Sequence, residues 1–313
     1  MALLPTGFDF PDSGWEIELS TWSHRYECEE PQGMAETKQK YWDEASITAG
    51  LDILDANFPD SYNKARLLAS RAPHSGDWLQ AWPITACGLR LDDESIRVAV
   101  GLRLGSRLCA PHTCPCGAEV DARGSHGLSC RRSAGRQTRH AQLNDAVHRA
   151  LTRAGIPSHK EPVGLIPASD LRPDGCTLVS WEQGKCLAWD VTVWDTLAVS
   201  YRPETSLVAG AAAERAVIQK NDKYRELKRS HIFCAMAFET LGPISGEGAG
   251  FLSELGRHLS AVTGDPRETA FLFQRLSITV QKHIRQFFAT TLGARQYTRE
   301  QFFHAQFYKP SGR

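Results

Sequence analysis

Two β-prone runs separated by Glu182-Gln183-Gly184 constrain this chain more than any other feature. Leu178–Trp181 is apolar, and Cys186–Trp194 is a longer run, so together they read as an antiparallel hairpin about Gln183-Gly184. Arg172-Pro173-Asp174-Gly175 stands at the entry to the first strand, and Asp190 lies within the second. In such a hairpin Asp174 falls opposite Thr192 or its neighbour, with Asp190 on the diagonal at roughly 7–8 Å between Cα atoms. Trp189, Val191 and Val193 alternate with Ala188, Asp190 and Thr192, which puts Asp190 and Thr192 on one face. Glu161-Pro162, after a helix, brings a third carboxylate to the same edge. Hard oxygen donors converging in this way suit Mg²⁺ or Mn²⁺. A plainer reading competes, because Pro-Asp-Gly is a common turn and an Asp at a strand end often only caps backbone amides.

The 313 residues, 42% hydrophobic and 23% charged, suit a globular chain of one or two domains. No apolar run approaches the roughly 20 residues that span a bilayer. Pro5, Gly7 and Asp9 interrupt the start, so no signal peptide is expected, and nine cysteines then point to reduced thiols and metal binding. The zero net charge hides an asymmetry. Residues 1–60 carry 3 Lys/Arg against 13 Asp/Glu, whereas residues 97–153 carry 10 Arg and no Lys against 3 Asp/Glu. An arginine-only block fits a phosphate-facing surface, although a solvated helix face would look the same.

Residues 1–34 read as a loosely structured acidic arm with Phe8, Phe10, Trp15, Trp22 and Tyr26, and residues 35–108 as a helical region. Helical spacing covers about 36–58 and 62–70, and a capped helix runs from Asp92 or Asp93 to Gly105. Residues 109–140 form a Cys/His loop with an arginine cluster. The segment from 141 to 290 forms an α/β core in the order helix, strand, strand, helix, strand, with a mixed sheet flanked by helices. Within it, 141–154 is an amphipathic helix, Ser206 caps a long helix to about Arg229, and Ile232–Phe238 reads as a buried central strand. One closing helix covers about 251–262. A second opens at Asp265-Pro266-Arg267-Glu268 and runs past Arg285, leaving 291–313 as a tail.

Cys114-x-Cys116, His126 and Cys130 offer four ligands in a Gly-punctuated loop, with Cys109 and His112 in reserve. This is Cys₃His chemistry, for which Zn²⁺ is the default occupant, and four protein ligands would make the site closed and structural. Arg131, Arg132, Arg136 and Arg139 follow at once, with His140, as a candidate clamp on a nucleic-acid backbone.

One ordered set of motifs covers roughly residues 65–290. It comprises Leu102-Arg103-Leu104-Gly105, Cys114-x-Cys116…His126…Cys130, Arg139-His140-x-x-Leu143-Asn144, Glu161-Pro162, Arg172-Pro173-Asp174, Asp190-Val191-Thr192 and Lys220-x-x-Lys223-Tyr224. This order resembles the zinc-knuckle and restriction-like endonuclease region downstream of the reverse transcriptase in non-LTR retrotransposons, which belongs to the PD-(D/E)XK superfamily. The resemblance implies a PD-(D/E)XK core, a structural zinc and a catalytic Mg²⁺ or Mn²⁺ on Asp174 and Asp190, with Glu161 joining them. It implies nicking of target DNA, an intracellular and nuclear place of work, and as partners DNA, the element's RNA and a separate reverse transcriptase. The superfamily's lysine belongs two residues after the second acid, where this chain has Thr192, so the resemblance moves that role to Lys220 or Lys223. No reverse transcriptase is expected here, since Asp92-Asp93 lacks the preceding aromatic and fits a helix start. Two other classes remain open on the residues alone: a nucleic-acid-binding module without cleavage, and a zinc-stabilised scaffold for protein partners.

Overall fold

The computed structural model describes residues 12–30, 32, 38–133, 135–166 and 169–292. The start of the expected arm, with Phe8 and Phe10, and the tail beyond 292 lie outside them. The chain divides into two compact units, Met1–Asp60 and Ser61–Arg313. In the first, α1 (Asp12–Tyr26) crosses the region expected to be loosely structured, and α2 (Gln39–Asn57) follows. Helical periodicity gave no sign of α1 because it lacks an apolar stripe. Its Trp22 instead packs edge-on against Tyr26 at 5.5 Å, one turn away, and against Trp42 of α2 at 5.1 Å.

The second unit opens with α3 (Ser61–Arg71), α4 (Asp77–Gln80) and α5 (Asp93–Leu104). Asp92 caps α5 by accepting the Ser95 amide, and Gly105 ends it in the left-handed region, both as the sequence predicts. A small hairpin, β1 (His112–Thr113) and β2 (Glu119–Val120), leads to the single turn α6 (His126–Ser129). Next comes α7 (Gly135–Arg153), which starts six residues earlier than its apolar stripe suggested.

A four-stranded mixed sheet forms the centre, in the order β3 (Ser158–Lys160), β4 (Gly175–Glu182), β5 (Lys185–Trp194) and β6 (Ile232–Glu239). The first three strands are antiparallel, while β5 and β6 are parallel. The parallel step requires a crossover, supplied by α8 (Arg202–Thr205) and α9 (Ala211–Lys223). The helices α10 (Gly246–Thr263), α11 (Glu268–Lys282) and α12 (Ile284–Leu292) complete the unit. On one face Leu187, Trp189, Val191 and Met236 pack against Leu143 and Val147 of α7, Leu255 of α10 and Leu276 of α11. Each such fully buried side chain contributes about 1.5–3 kcal/mol. On the other face Ala188, Ala235 and Ala237 are small, which lets Ala213, Ala216 and Val217 of α9 approach closely. The alternation of small and large residues along β5 thus chooses which helices each face receives.

Several expectations need correction. Ile232–Phe238 does form a strand, but at the edge of the sheet. Its free edge is covered locally: Ala235 N–H donates to Glu247, Ala237 N–H to Ser245, and Glu239 N–H to the Pro243 carbonyl. Ser206 does not start a long helix; it closes α8. Gly210, at φ +81°, turns the chain, and α9 starts only at Ala211, where the buried Glu239 carboxylate accepts the Ala212 and Ala213 amides in the place of a serine cap. That helix stops at Lys223, with a separate 3₁₀ turn over Leu227–Arg229, and the closing helix breaks at His283. No sequence signal pointed to β3. Among the described residues no helix is long and apolar enough to cross a membrane.

Candidate acid site and metal centre

The Cys/His loop builds a compact donor set. Cys114 follows β1, and its amide donates to the Ala118 carbonyl across the tight turn Pro115–Gly117, where Gly117 has φ +91°. His126 opens α6, and Cys130 closes it with its amide on the His126 carbonyl. The ligand atoms of Cys114, Cys116, His126 and Cys130 all lie within 4.8 Å of one another. The Cys114 and Cys130 sulfurs are 3.8 Å apart, and Cys116 Sγ is 3.2 Å from His126 Nε2. A tetrahedral ion with Zn–S near 2.3 Å would set sulfur pairs about 3.8 Å apart, so this Cys₃His set could hold a metal ion, and zinc is consistent with it. The Ala118 amide, followed by the Cys114 thiol, lowers the Cys116 thiol to about 6, while burial raises Cys114 to about 11. The two reserves do other work. Cys109 Sγ faces the Asp121 carbonyl at 3.4 Å, and His112 Nε2 meets Thr291 Oγ1 of α12 at 3.1 Å.

The loop is seated on α12 through glycines. A Cβ at Gly127 would come within 2.6 Å of the Phe287 carbonyl oxygen, and one at Gly124 within 2.3 Å of the Phe288 ring. Phe287 also carries the Arg139 guanidinium over its ring at 4.6 Å. Arg139 is only 3% exposed, and burial lowers its pKa to about 10. It cannot reach a phosphate backbone from there, in contrast to the expectation. Arg131, Arg132 and Arg136 are exposed.

The hairpin turns at Gln183-Gly184 as predicted, with φ of +51° and +76° at the two turn residues. Its register differs from expectation. Glu182 pairs with Lys185, but irregularities on either side of Ser180 shift the ladder until Gly175 pairs with Trp189. Asp174, one residue beyond that last pair, therefore lies beside Asp190 and its charge acts on it. Asp174 Oδ2 accepts the Val191 amide at 2.6 Å and lies 2.9 Å from His140 Nε2. Asn144, one helical turn beyond His140 on α7, donates to the Asp174 carbonyl at 2.9 Å and accepts from Trp189 Nε1 at 2.8 Å. Gly175 is required at this point, because a Cβ there would lie 2.0 Å from the Trp189 ring.

Asp190 is not at a strand end. It sits in the middle of β5, 3% exposed, on the α9 face. One of its oxygens pairs with Lys220 Nζ, and the other lies 3.1 Å from the Tyr224 hydroxyl. Burial, and then the Asp174 charge, raises its carboxyl above the ordinary aspartate range. The hydrogen bond to Asp174 raises His140. Lys223 is exposed, with its Nζ 4.7 Å from the Tyr224 ring centroid, so of the two candidate lysines Lys220 alone reaches the acids. Glu161 sits beside the pair by its backbone, its amide donating to the Asp174 carbonyl at 3.0 Å, while its side chain is exposed. Among the described residues the Cys₃His set is the single grouping of three or more His, Cys, Asp or Glu ligands; the acids form a pair.

The sequence reading gave His140, Asn144 and Tyr224 no role at the acids. Their signal was spacing: His140 and Asn144 stand four apart on one helix, and Tyr224 stands four after Lys220. No protein-family model matches the chain, and no curated protein matches it.

Proposed function

We propose that this chain is a metal-dependent DNA endonuclease with a PD-(D/E)XK-like core of retrotransposon origin, nicking a target strand. The observation that carries this reading is the convergence of Asp174 and Asp190 at the end of a bulged hairpin ladder, Asp174 on the Val191 amide and Lys220 on the second acid. Two hard carboxylates set against each other, one with its pKa raised partly by the other, fit a divalent cation that would relieve their repulsion. Asp174 and Asp190 would hold Mg²⁺ or Mn²⁺, with Glu161 close by its backbone. When bound, such an ion supplies Lewis-acid polarisation of a phosphate and a more acidic water.

The chain's own groups do the rest. Lys220, freed from Asp190, offers its ammonium to charge developing on the phosphate. Arg131, Arg132 and Arg136 hold DNA phosphates, and the zinc loop fixes the segment that carries them. On this reading the chain works in the nucleus with DNA, the element's RNA and a separate reverse transcriptase as partners.

A nucleic-acid-binding module without cleavage is the second reading. It is favoured by His140 and Lys220, whose side chains already partner the two acids. Plasmid nicking with Mg²⁺, Mn²⁺ or EDTA separates the two. The nuclease reading expects metal-dependent nicking that falls by orders of magnitude in Asp190→Asn while DNA affinity holds. A parent chain that retards DNA and never cuts it would leave the binding module.

A further inference from the structure

Resting on that reading, we infer that Tyr224 is the positioning residue that aligns the acid pair with Lys220. Its ring is fully buried, packed against Phe233 of β6 with centroids 4.7 Å apart. The phenolic proton is shared between two acceptors from different parts of the chain. One is the Arg172 carbonyl at 2.6 Å, which fixes the backbone two residues ahead of Asp174. The other is Asp190 Oδ2 at 3.1 Å, which fixes the orientation of that carboxylate. The Tyr224 amide in turn donates to the Lys220 carbonyl at 2.9 Å, so the residue that reaches Asp190 and the backbone ahead of Asp174 also closes the helical turn that begins at the lysine.

Three site groups thus converge on one side chain: the loop that presents Asp174, the carboxylate of Asp190, and the turn of α9 that presents Lys220. Removing the hydroxyl would free the Arg172–Pro173 entry and leave Asp190 Oδ2 unpartnered. An unrestrained Asp190 would then spend less time in the orientation that a shared cation requires. The alignment depends on the hydroxyl, and a phenylalanine keeps the packing of the ring.

The test compares the full chain with Tyr224→Phe and, as a reference, Asp190→Asn. Mn²⁺ binding is followed by electron paramagnetic resonance without DNA, and cleavage by kcat and KM for nicking of an intact plasmid. The expected result is a folded variant with parental DNA affinity and KM. Its Mn²⁺ affinity should be weaker by about tenfold or more, with kcat lower and partly restored by excess Mn²⁺. A folded variant with parental Mn²⁺ affinity and kcat overturns the tyrosine's role and leaves the nuclease reading standing. So does a variant that loses DNA affinity alone. A parent chain with no Mn²⁺ site sensitive to Asp190→Asn overturns both. Should Tyr224→Phe unfold, 4-fluorophenylalanine placed at position 224 supplies the second variant, since it fills the space of the hydroxyl yet donates no hydrogen bond to the Arg172 carbonyl or Asp190; parental Mn²⁺ affinity there overturns the proposal.

Discussion

Asp174 accepts the backbone amide of Val191, so its carboxylate is tied to the strand residue that follows Asp190. A side chain from the entry of β4 thereby closes the ladder that the strand backbone no longer continues. The same oxygen also meets His140. Asp174 is held from α7 and from β5, whereas Asp190 is held from α9. The acid pair consequently reports on the docking of helices from both sheet faces.

The zinc loop offers the most direct check. Elemental analysis should find about one Zn²⁺ per chain. Cys116→Ser should lose it and lower the melting temperature, because α6 is a single turn held between two ligands. A variant that keeps the metal and the parental melting temperature would count against the Cys₃His assignment.

The two lysines should separate cleanly. Lys220→Met should lower cleavage by about tenfold or more, since it removes the charge paired with Asp190. Lys223→Met should leave kcat near the parent, because that ammonium lies over the Tyr224 ring and not on an acid. Single-turnover rates of the two variants decide the matter.

The arginines should behave as two classes. Replacing Arg132 and Arg136 should weaken DNA binding to all sequences alike and reduce the salt slope by about 0.9 per lost phosphate contact. Arg139→Ala should instead cost about 1–3 kcal/mol of stability, by emptying the space over Phe287. Salt titrations and urea melts read the two effects independently.

Gly175→Ala should be costly out of proportion to one methyl group. The added Cβ would overlap the Trp189 ring, and the ring is fixed by Asn144. A loss of about 1–3 kcal/mol or more is expected, with a shifted tryptophan emission on equilibrium unfolding.

The buried Glu239 predicts a pH effect away from both sites. Burial raises its carboxyl, against the lowering influence of the Ala213 and Ala212 amides, and Asp195 raises it further. A raised folded-state value means that the native chain binds this proton more tightly than the unfolded one. Its stabilising contribution is full below the ordinary glutamate range and is lost as pH rises through the raised folded value. The histidines titrate as well, so the difference between parent and Glu239→Gln is the informative quantity. Glu239→Gln should melt higher than the parent at about pH 8 and lose that advantage at about pH 5.

What the sequence made legible follows from where local chemistry decides structure. The turn at Gln183-Gly184, the Asp92 cap and the Cys₃His spacing are each written in neighbouring residues, and each appears in the fold. The register of Asp174 and Asp190 is not local. It depends on irregularities around Ser180, and a bulge there leaves no mark in a run of exposed residues such as Leu178 and Val179. The break after Ser206 was hidden for a similar reason. Its decisive partner, Glu239, lies on another strand and caps α9 from a distance. Arg139 looked like its neighbours in sequence and differs from them only through Phe287, a residue far along the chain.

The seam between Gly127 and Phe287 has a temporal meaning. All four residues of the Cys₃His set lie within a short stretch, so a metal ion could be captured as soon as that stretch exists. The surface on which the captured loop rests comes from α12, and His112 finds Thr291 179 positions later. Long-range closures of this kind come late in folding, after their entropy cost is met by other contacts. During synthesis the metal loop would therefore wait, already formed, for the last described helix to dock against it. The order of events is set by chain connectivity: ligation early, seating last.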